Sequence, residues 1–371
     1  MPGTLQRLTL RGFKTVERLD DFQPQPISVL IGPNGAGKSN FISFFRLLSW
    51  MTTPPGNLQL HVGTQGGASA ILHGGPARTR EVEARLTLAT ELGDNEYQFR
   101  LFHAAGDTLI FAEERYRFSR SSRTTRAAWK DLGAGHREAG LIERAEGGDR
   151  TAGTILSLLR KLVVYQFHNT STTARMRNKW HRDDGRWLKE DAANLAAFLF
   201  RLRHEEERYY RRIVETIRLI LPFFADFELD PEQEYLLLRW RERGSDVVFS
   251  AAQAADGMLR AMALTALLLQ PERDLPHVLI LDEPELGLHP YAINVIAGLI
   301  RAAATRVQVI LATQSVSLID YFDPGEIVVV EREGATSLFR RLGEEDLREW
   351  LDEYTLSELW EKNVIGGRPS R

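Results

Sequence analysis

Apolar positions in this 371-residue chain follow two rhythms, a strand-like alternation and a helical spacing, and the order in which these succeed each other predicts the fold. Leu5, Leu8 and Leu10, with Phe13 behind them, read as a short strand and turn. Ile27-Ser28-Val29-Leu30-Ile31 reads as a buried strand entering a glycine-rich loop. The spacing turns helical from Asn40 to Met51. Residues 53–76 hold three prolines and many glycines and predict loop. From Val82 to Phe118 apolar and polar residues alternate, with turn signals at Gly93-Asp94-Asn95 and Gly106-Asp107, which predicts an antiparallel β-subdomain. Arg120 to Arg150 is polar, charged and glycine-rich and reads as a mobile surface segment.

The second half is more regular. Leu162-Val163-Val164-Tyr165 predicts a strand ending at Gln166, and Asp191 to Leu221 predicts two helices stopped by Pro222. Strands are expected at Tyr235 to Trp240 and Asp246 to Phe249, then a helix from Met258 to Leu269. Strand Val278 to Leu281, helix Tyr291 to Ala304 and strand Val307 to Leu311 follow. This alternation indicates an α/β fold with a largely parallel sheet, to which the β-subdomain is added.

Composition narrows the function. Hydrophobic residues make up 43% of the chain and charged residues 26%, as in an ordinary soluble protein. There is no apolar run long enough to span a membrane, and Met1 to Arg11 shows no signal-peptide core, so a cytoplasmic protein is expected. With no cysteine, metal would have to sit on oxygen or histidine, and His103, His168, His181 and His204 lack zinc-ligand spacing. The net charge of −3 offers no global attraction to nucleic acid. Only local runs could hold DNA or RNA: Arg115, Arg117, Arg120, Arg123, Arg126 and Lys130, or Arg175, Arg177, Lys179, Arg182 and Arg186 near Trp180 and Trp187. A solvated charged face is the plainer reading of both.

Two strand ends carry chemistry. Gly32-Pro33-Asn34-Gly35-Ala36-Gly37-Lys38-Ser39 fits G-x-x-x-x-G-K-[ST] between a strand and a helix that begins at Asn40. Glycines there let backbone N–H groups turn toward a phosphate, and the helix N-terminus adds its dipole. Lys38 would reach the β- and γ-phosphates of ATP and Ser39 would ligate Mg²⁺. Downstream, His277-Val278-Leu279-Ile280-Leu281-Asp282-Glu283-Pro284 brings two carboxylates to the C-terminal edge of a parallel sheet. Asp282 would hold the magnesium shell, and Glu283 would polarise the attacking water.

Those motifs, with Glu285-Leu286-Gly287-Leu288-His289-Pro290 behind them, resemble the ATP-binding cassette (ABC) superfamily and its SMC, RecF and OLD-type branch. The size and the C-terminal strings Trp350-Leu351-Asp352-Glu353-Tyr354, Leu359-Trp360-Glu361-Lys362-Asn363 and Gly366-Gly367-Arg368-Pro369 are similar to stand-alone ATPases of the AAA15/AAA21 type. The resemblance implies one discontinuous head: lobe I over residues 1–165, a helical insertion or arm over 166–230, and lobe II over 231–371. It implies an ATP-dependent head-to-tail dimer in which Ala255, Asp256 and Gly257 act in trans as the signature. Serine usually stands where Ala255 is, and a histidine often stands where Gln314 is; glutamine can donate to phosphate or water but carries no charge, so slow hydrolysis is expected. Gln166 resembles the glutamine that senses magnesium and water.

The head does no work on a substrate by itself. The resemblance therefore points to an ATP cycle that gates a larger assembly, in anti-phage defence or DNA maintenance, with a separately encoded nuclease or toxin as effector. The chain beyond Gln314 is used up by a strand pair and a Trp-bearing helix, so no nuclease domain is expected in it. A non-hydrolysing scaffold locked by ATP and a transporter ATPase subunit stay open as alternatives.

Overall fold

Ile27–Ile31 pairs in parallel with two strands far from it in the chain, Gln308–Thr313 on one side and Ile327–Glu333 on the other. Val278–Asp282 and then Leu162–Tyr165 extend the parallel order, and Thr336–Arg341 closes the opposite edge antiparallel, giving a six-stranded mixed sheet. The computed structural model describes residues 3–54, 56–122, 127–343, 347, 350 and 353–367.

Both faces of this sheet are covered, which is why its strands are nearly continuous apolar runs. Leu30, Val164, Val278, Ile280 and Ile310 point to one core, while Val29, Ile31, Leu279, Leu281, Val309 and Leu311 point to the other. On the first face lies helix Lys38–Thr52, with Phe41, Phe44, Phe45 and Leu48 buried at i, i+3, i+4 and i+7. Burial of each such side chain contributes about 1.5–3 kcal/mol. Beyond it an antiparallel sheet (Thr4–Phe13, Val16–Phe22, Glu81–Thr90, Gly93–Ala104, Thr108–Arg120 and the short Lys130–Asp131) supplies the outer layer. The expected β-subdomain is therefore present, and the opening strand belongs to it.

The second face is covered by helices Leu195–Glu205, Glu207–Ile220, Asp256–Leu269 and Pro290–Ala304. The first two lie in the region read as a helical insertion. Phe198, Leu199, Leu202, Ile213, Val214 and Ile217 are buried in the same core as Leu259, Met262 and Leu267, so these helices lie on the lobe as part of its wall.

Three local expectations need correction. Residues 53–76 contain helices Leu58–Thr64 and Ala68–Ile71, because Leu58 and Val62 share one buried face and the Glu138 carboxylate accepts from the N–H groups of Leu58 and Gln59. That cap comes from 80 positions away, beyond any local sequence signal. In the segment Arg120–Arg150, residues 123–126, Arg123 and Arg126 among them, lie outside the described residues, but the described part contains folded structure. Helix Gly140–Glu146 buries Leu141 and Ile142 and starts on the buried Glu114, which accepts from Gly140 N and Leu141 N. Tyr235 to Trp240 is broken: Tyr235–Leu236 pairs with Trp180–His181, and Arg239–Glu242 joins Phe224–Phe227 and Val248–Ser250.

Candidate functional site

Parallel register decides what meets at the C-terminal edge of the mixed sheet. Ile31 lies opposite Thr313, Ala312 opposite Asp282, and Leu281 opposite Tyr165. The residues that follow these strand ends therefore stand in adjacent rows: the loop from Gly32, then Gln314, then Glu283, then Gln166.

The loop is shaped by glycine. Gly32 has φ +152°, Gly35 +79° and Gly37 +114°, and a Cβ on Gly37 would stand 1.9 Å from Ser337 Oγ. Ala36 and Gly37 are buried, Pro33 is half-buried, and Asn34, Gly35 and Ser39 face outward. Asn40 donates to Thr15 Oγ1 at 3.0 Å and so ties the helix to the first hairpin. The Lys38 ammonium is folded back under the loop, donating to the carbonyls of Gly32 (2.6 Å) and Pro33 (3.2 Å). Burial pulls its pKa down, against the opposing attraction of Glu283, Asp282 and Glu285. An ammonium parked on two neutral carbonyls is ready to exchange them for phosphate oxygens.

Glu283 sits in the left-handed region at φ +45°, a conformation that costs a non-glycine residue about 1–3 kcal/mol and marks a residue held in place by its surroundings. Gln314 Nε2 donates to Glu283 Oε1, and His168 Nε2 lies 3.9 Å from Glu283 Oε2. Beside it Asp282 is buried, and burial first, then the charge of Glu283, raises its carboxyl pKa against the pull of His168, Arg46 and Lys38. Asp282 Oδ2 accepts from Gln166 Nε2 at 2.9 Å, whereas its buried Oδ1 has no protein partner. A buried carboxylate oxygen in that condition fits a cation. Among the described residues no cluster of three or more His, Asp or Glu could hold a metal alone, which suits Mg²⁺ held by Asp282 and Ser39 with phosphate oxygens and water.

Gln166 is oriented by three neighbours. Its Nε2 donates to Asp282 Oδ2 and to His168 Nδ1 (2.8 Å), and its Oε1 accepts from Arg46. His168 Nδ1 is therefore the acceptor, and Nε2–H donates to the Asp282 carbonyl at 2.9 Å. The Gln166 oxygen, the atom a metal would meet, accepts from Arg46 and keeps a second lone pair. Arg46 was not singled out from sequence, His168 was weighed only as a zinc ligand, and Glu285 appeared only within the string behind the acidic pair. Glu285 is buried, accepts from Thr313 Oγ1 (2.5 Å) and Gln314 N (3.4 Å), and has its carboxyl pKa raised by burial. No sequence pattern distinguishes these from surface charges.

Ala255, Asp256 and Gly257 are brought together beside Gly287, whose carbonyl oxygen a Cβ on Gly257 would meet at 2.4 Å. They open helix Asp256–Leu269, whose N-terminus has no side-chain cap. Among the described residues none of the three hydrogen-bonds Lys38, Asp282, Glu283 or Gln314. A cleft of about 320 Å³ lies beside the loop, lined by Gly32, Pro33, Asn34, Gln314, Trp360 and Glu361 among others.

A family model described as "AAA domain, putative AbiEii toxin, Type IV TA system" (AAA_21) matches residues 27–320, from the first parallel strand to just beyond Gln314. The chain belongs to this family. None of the curated proteins matches it. Its fold is similar to the crystal structure of an SMC head bound to the C-winged helix domain of ScpA, with 15% identity, 93% of this chain and 99% of that one covered, and a TM-score of 0.62. A second similar structure is the SMC head domain with an extended coiled coil bound to the C-terminal domain of ScpA, from Pyrococcus furiosus, with 14% identity, coverage of 95% and 99%, and a TM-score of 0.57. The fold of this AAA_21 chain is that of an SMC head, and among its described residues no helix is long and apolar enough to cross a membrane.

Among the described residues of the basic runs, most cations are paired or stacked. Arg117 pairs with Glu96, Arg115 with Glu113 (2.8 Å) and Lys130 with Asp149 (2.8 Å), while Arg115 and Arg117 stack on Trp129. In the second run Arg175 pairs with Asp191 (3.0 Å), Lys179 with Glu232 (2.7 Å) and Arg182 with Glu234 (3.6 Å). Arg177 is buried.

Proposed function

We propose that this chain binds Mg-ATP at the loop Gly32–Ser39 and hydrolyses it slowly, as a head-to-tail dimer that gates a larger complex. The observation that carries this is the placement of Glu283: strained, linked to Gln314, and separated from the phosphate loop by a single intervening strand in the parallel sheet. Backbone N–H groups of the loop and Lys38 bind the triphosphate, and Ser39 and Asp282 hold Mg²⁺. Bound there, Mg²⁺ neutralises charge on the phosphate oxygens. Glu283 takes the proton of the attacking water, with Gln314 fixing the carboxylate that does so. Because Gln314 is neutral, it stabilises less developing charge than an imidazolium would, so turnover is slow.

Asp256 and Gly257 act in trans. Support comes from the N-terminus of their helix, which no side chain caps. The role we favour is anti-phage defence with a separately encoded nuclease or toxin effector; the family description, which names a putative toxin of a toxin–antitoxin system, supports a toxin–antitoxin setting. The SMC heads with the same fold were crystallised with domains of ScpA, so a head of this shape can carry a protein partner.

The test is phosphate release from ATP and Mg²⁺ by wild type and by Glu283→Gln. The variant keeps the acceptor for Gln314 and loses the base, so kcat should fall by about 10²–10⁴ with little change in KM. Equal rates would remove the enzyme reading and leave an ATP-locked scaffold.

A further inference from the structure

Arg177 sits in a basic run by sequence, yet its side chain is only 8% exposed. Its guanidinium donates to the carbonyls of Thr170 (2.8 Å from Nη2, 3.0 Å from Nε), Ala251 and Ala254 (3.2 Å), and to Asp256 Oδ1 at 3.2 Å. Ala251 and Ala254 bracket the short turn Ala251–Gln253, which Ser250 and Gln253 cap from the front. Arg177 therefore grips from behind the turn that presents Ala255, Asp256 and Gly257.

Charge gives the grip a second effect. The Asp256 carboxylate is 59% exposed at the mouth of the helix, where an approaching phosphate would meet its negative charge, and Arg177 is the cation that offsets it. Ala255 brings no hydroxyl to compensate. The other end of the same segment reaches the acidic pair, since Gln166 and His168 bond Asp282. Arg260, in the signature helix, ties the middle by donating to the carbonyls of Phe167 (3.0 Å), His168 (2.9 Å) and Leu286 (2.9 Å).

We infer that Arg177 is a positioning residue for hydrolysis in trans: it holds Ala255-Asp256-Gly257 in the shape, and with the local charge, needed to close on phosphates bound by the second copy. This rests on the head-to-tail dimer proposed above. Arg177→Ala in the full chain should lower kcat by roughly 10–100-fold while leaving ATP affinity within about twofold, because the phosphate loop is untouched.

The decisive measurement is phosphate release after mixing Arg177→Ala with Glu283→Gln in equal amounts. In a mixed dimer one site combines an intact loop and Glu283 with an intact signature, so about a quarter of wild-type activity should return if subunits exchange freely and sites are independent. The idea is overturned if Arg177→Ala keeps the wild-type kcat, or if the mixture, shown by native mass spectrometry to contain mixed dimers, stays as inactive as its components. Should Arg177→Ala lose ATP binding or fail to fold, Arg177→Lys, which keeps the charge and loses the fork, is judged by the same two criteria. Wild type that releases no phosphate refutes the underlying ATPase reading, an outcome separate from either.

Discussion

Gly32→Ala is the sharpest test of how the phosphate loop is built. At φ +152° an added Cβ would stand 2.1 Å from the Val330 carbonyl oxygen and 3.2 Å from its carbon. Val330 cannot step aside: it is fully buried, its strand pairs with Ile27–Ile31 on one side, and Val330 itself pairs with Phe339 on the other. The loop must therefore yield. Backbone strain at such a φ costs about 1–3 kcal/mol, and overpacking against a rigid neighbour costs about 1–3 kcal/mol more. The sum of about 2–6 kcal/mol is a large share of the roughly 5–15 kcal/mol that holds a protein folded. Gly35→Ala is the matched control, because its φ of +79° is also left-handed but the nearest atom to the new Cβ is Arg332 Nη1 at 3.9 Å. Its cost should be about 1–2 kcal/mol. Urea unfolding followed by tryptophan fluorescence should show a larger drop in midpoint for Gly32→Ala at similar slope, with Mg-ATP binding weakened by tenfold or more, about 1.4 kcal/mol. Equal midpoints for the two variants would show that contact with Val330 is not what demands glycine.

Other predictions concern charge. Asp282→Asn should abolish the improvement of ATP binding by Mg²⁺ and lower kcat by about 100-fold or more; titrating a fluorescent ATP analogue with and without EDTA checks the first, and unchanged magnesium dependence would count against Asp282 as a ligand. His61 is buried, and burial first, then the charges of Lys14 and Arg46, lowers its pKa to about 4 from 6.5. The folded state therefore holds His61 neutral while the unfolded chain takes up a proton below its ordinary pKa. Its contribution is fully present above pH 6.5 and is lost as pH falls toward about 4, a loss of about 3 kcal/mol. His61→Phe should flatten denaturation midpoints across that window, and an unchanged slope would assign the acid sensitivity to other groups.

Much of the site was legible from sequence because its signals are local. Spacing within Gly32–Ser39, an apolar strand ending in Asp282-Glu283, and the long parallel-strand runs need only neighbouring residues to be read, and the α/β class followed from their order. Gln314 was reached only through the resemblance, as the position where a histidine often stands. Arg177 shows where such reading fails: the same basic residue belongs to a surface patch in sequence and to the underside of the signature in space, because its partners at 251, 254 and 256 are reached only after the chain folds.

By itself, then, the sequence determined the nucleotide-binding loop, the acidic strand end and the helices and strands that carry them, since each depends on local backbone preference and periodicity. Tertiary structure decided the rest. It put the four strand ends in one row through parallel register, bonded Gln314 to Glu283, and turned the Gln166 oxygen toward Arg46 and its nitrogen toward Asp282. It also paired several cations of the basic runs with acids from distant segments, as Lys179 with Glu232 and Arg182 with Glu234. Hydrogen bonds and ion pairs act over a few ångströms regardless of separation along the chain, so no local pattern records them.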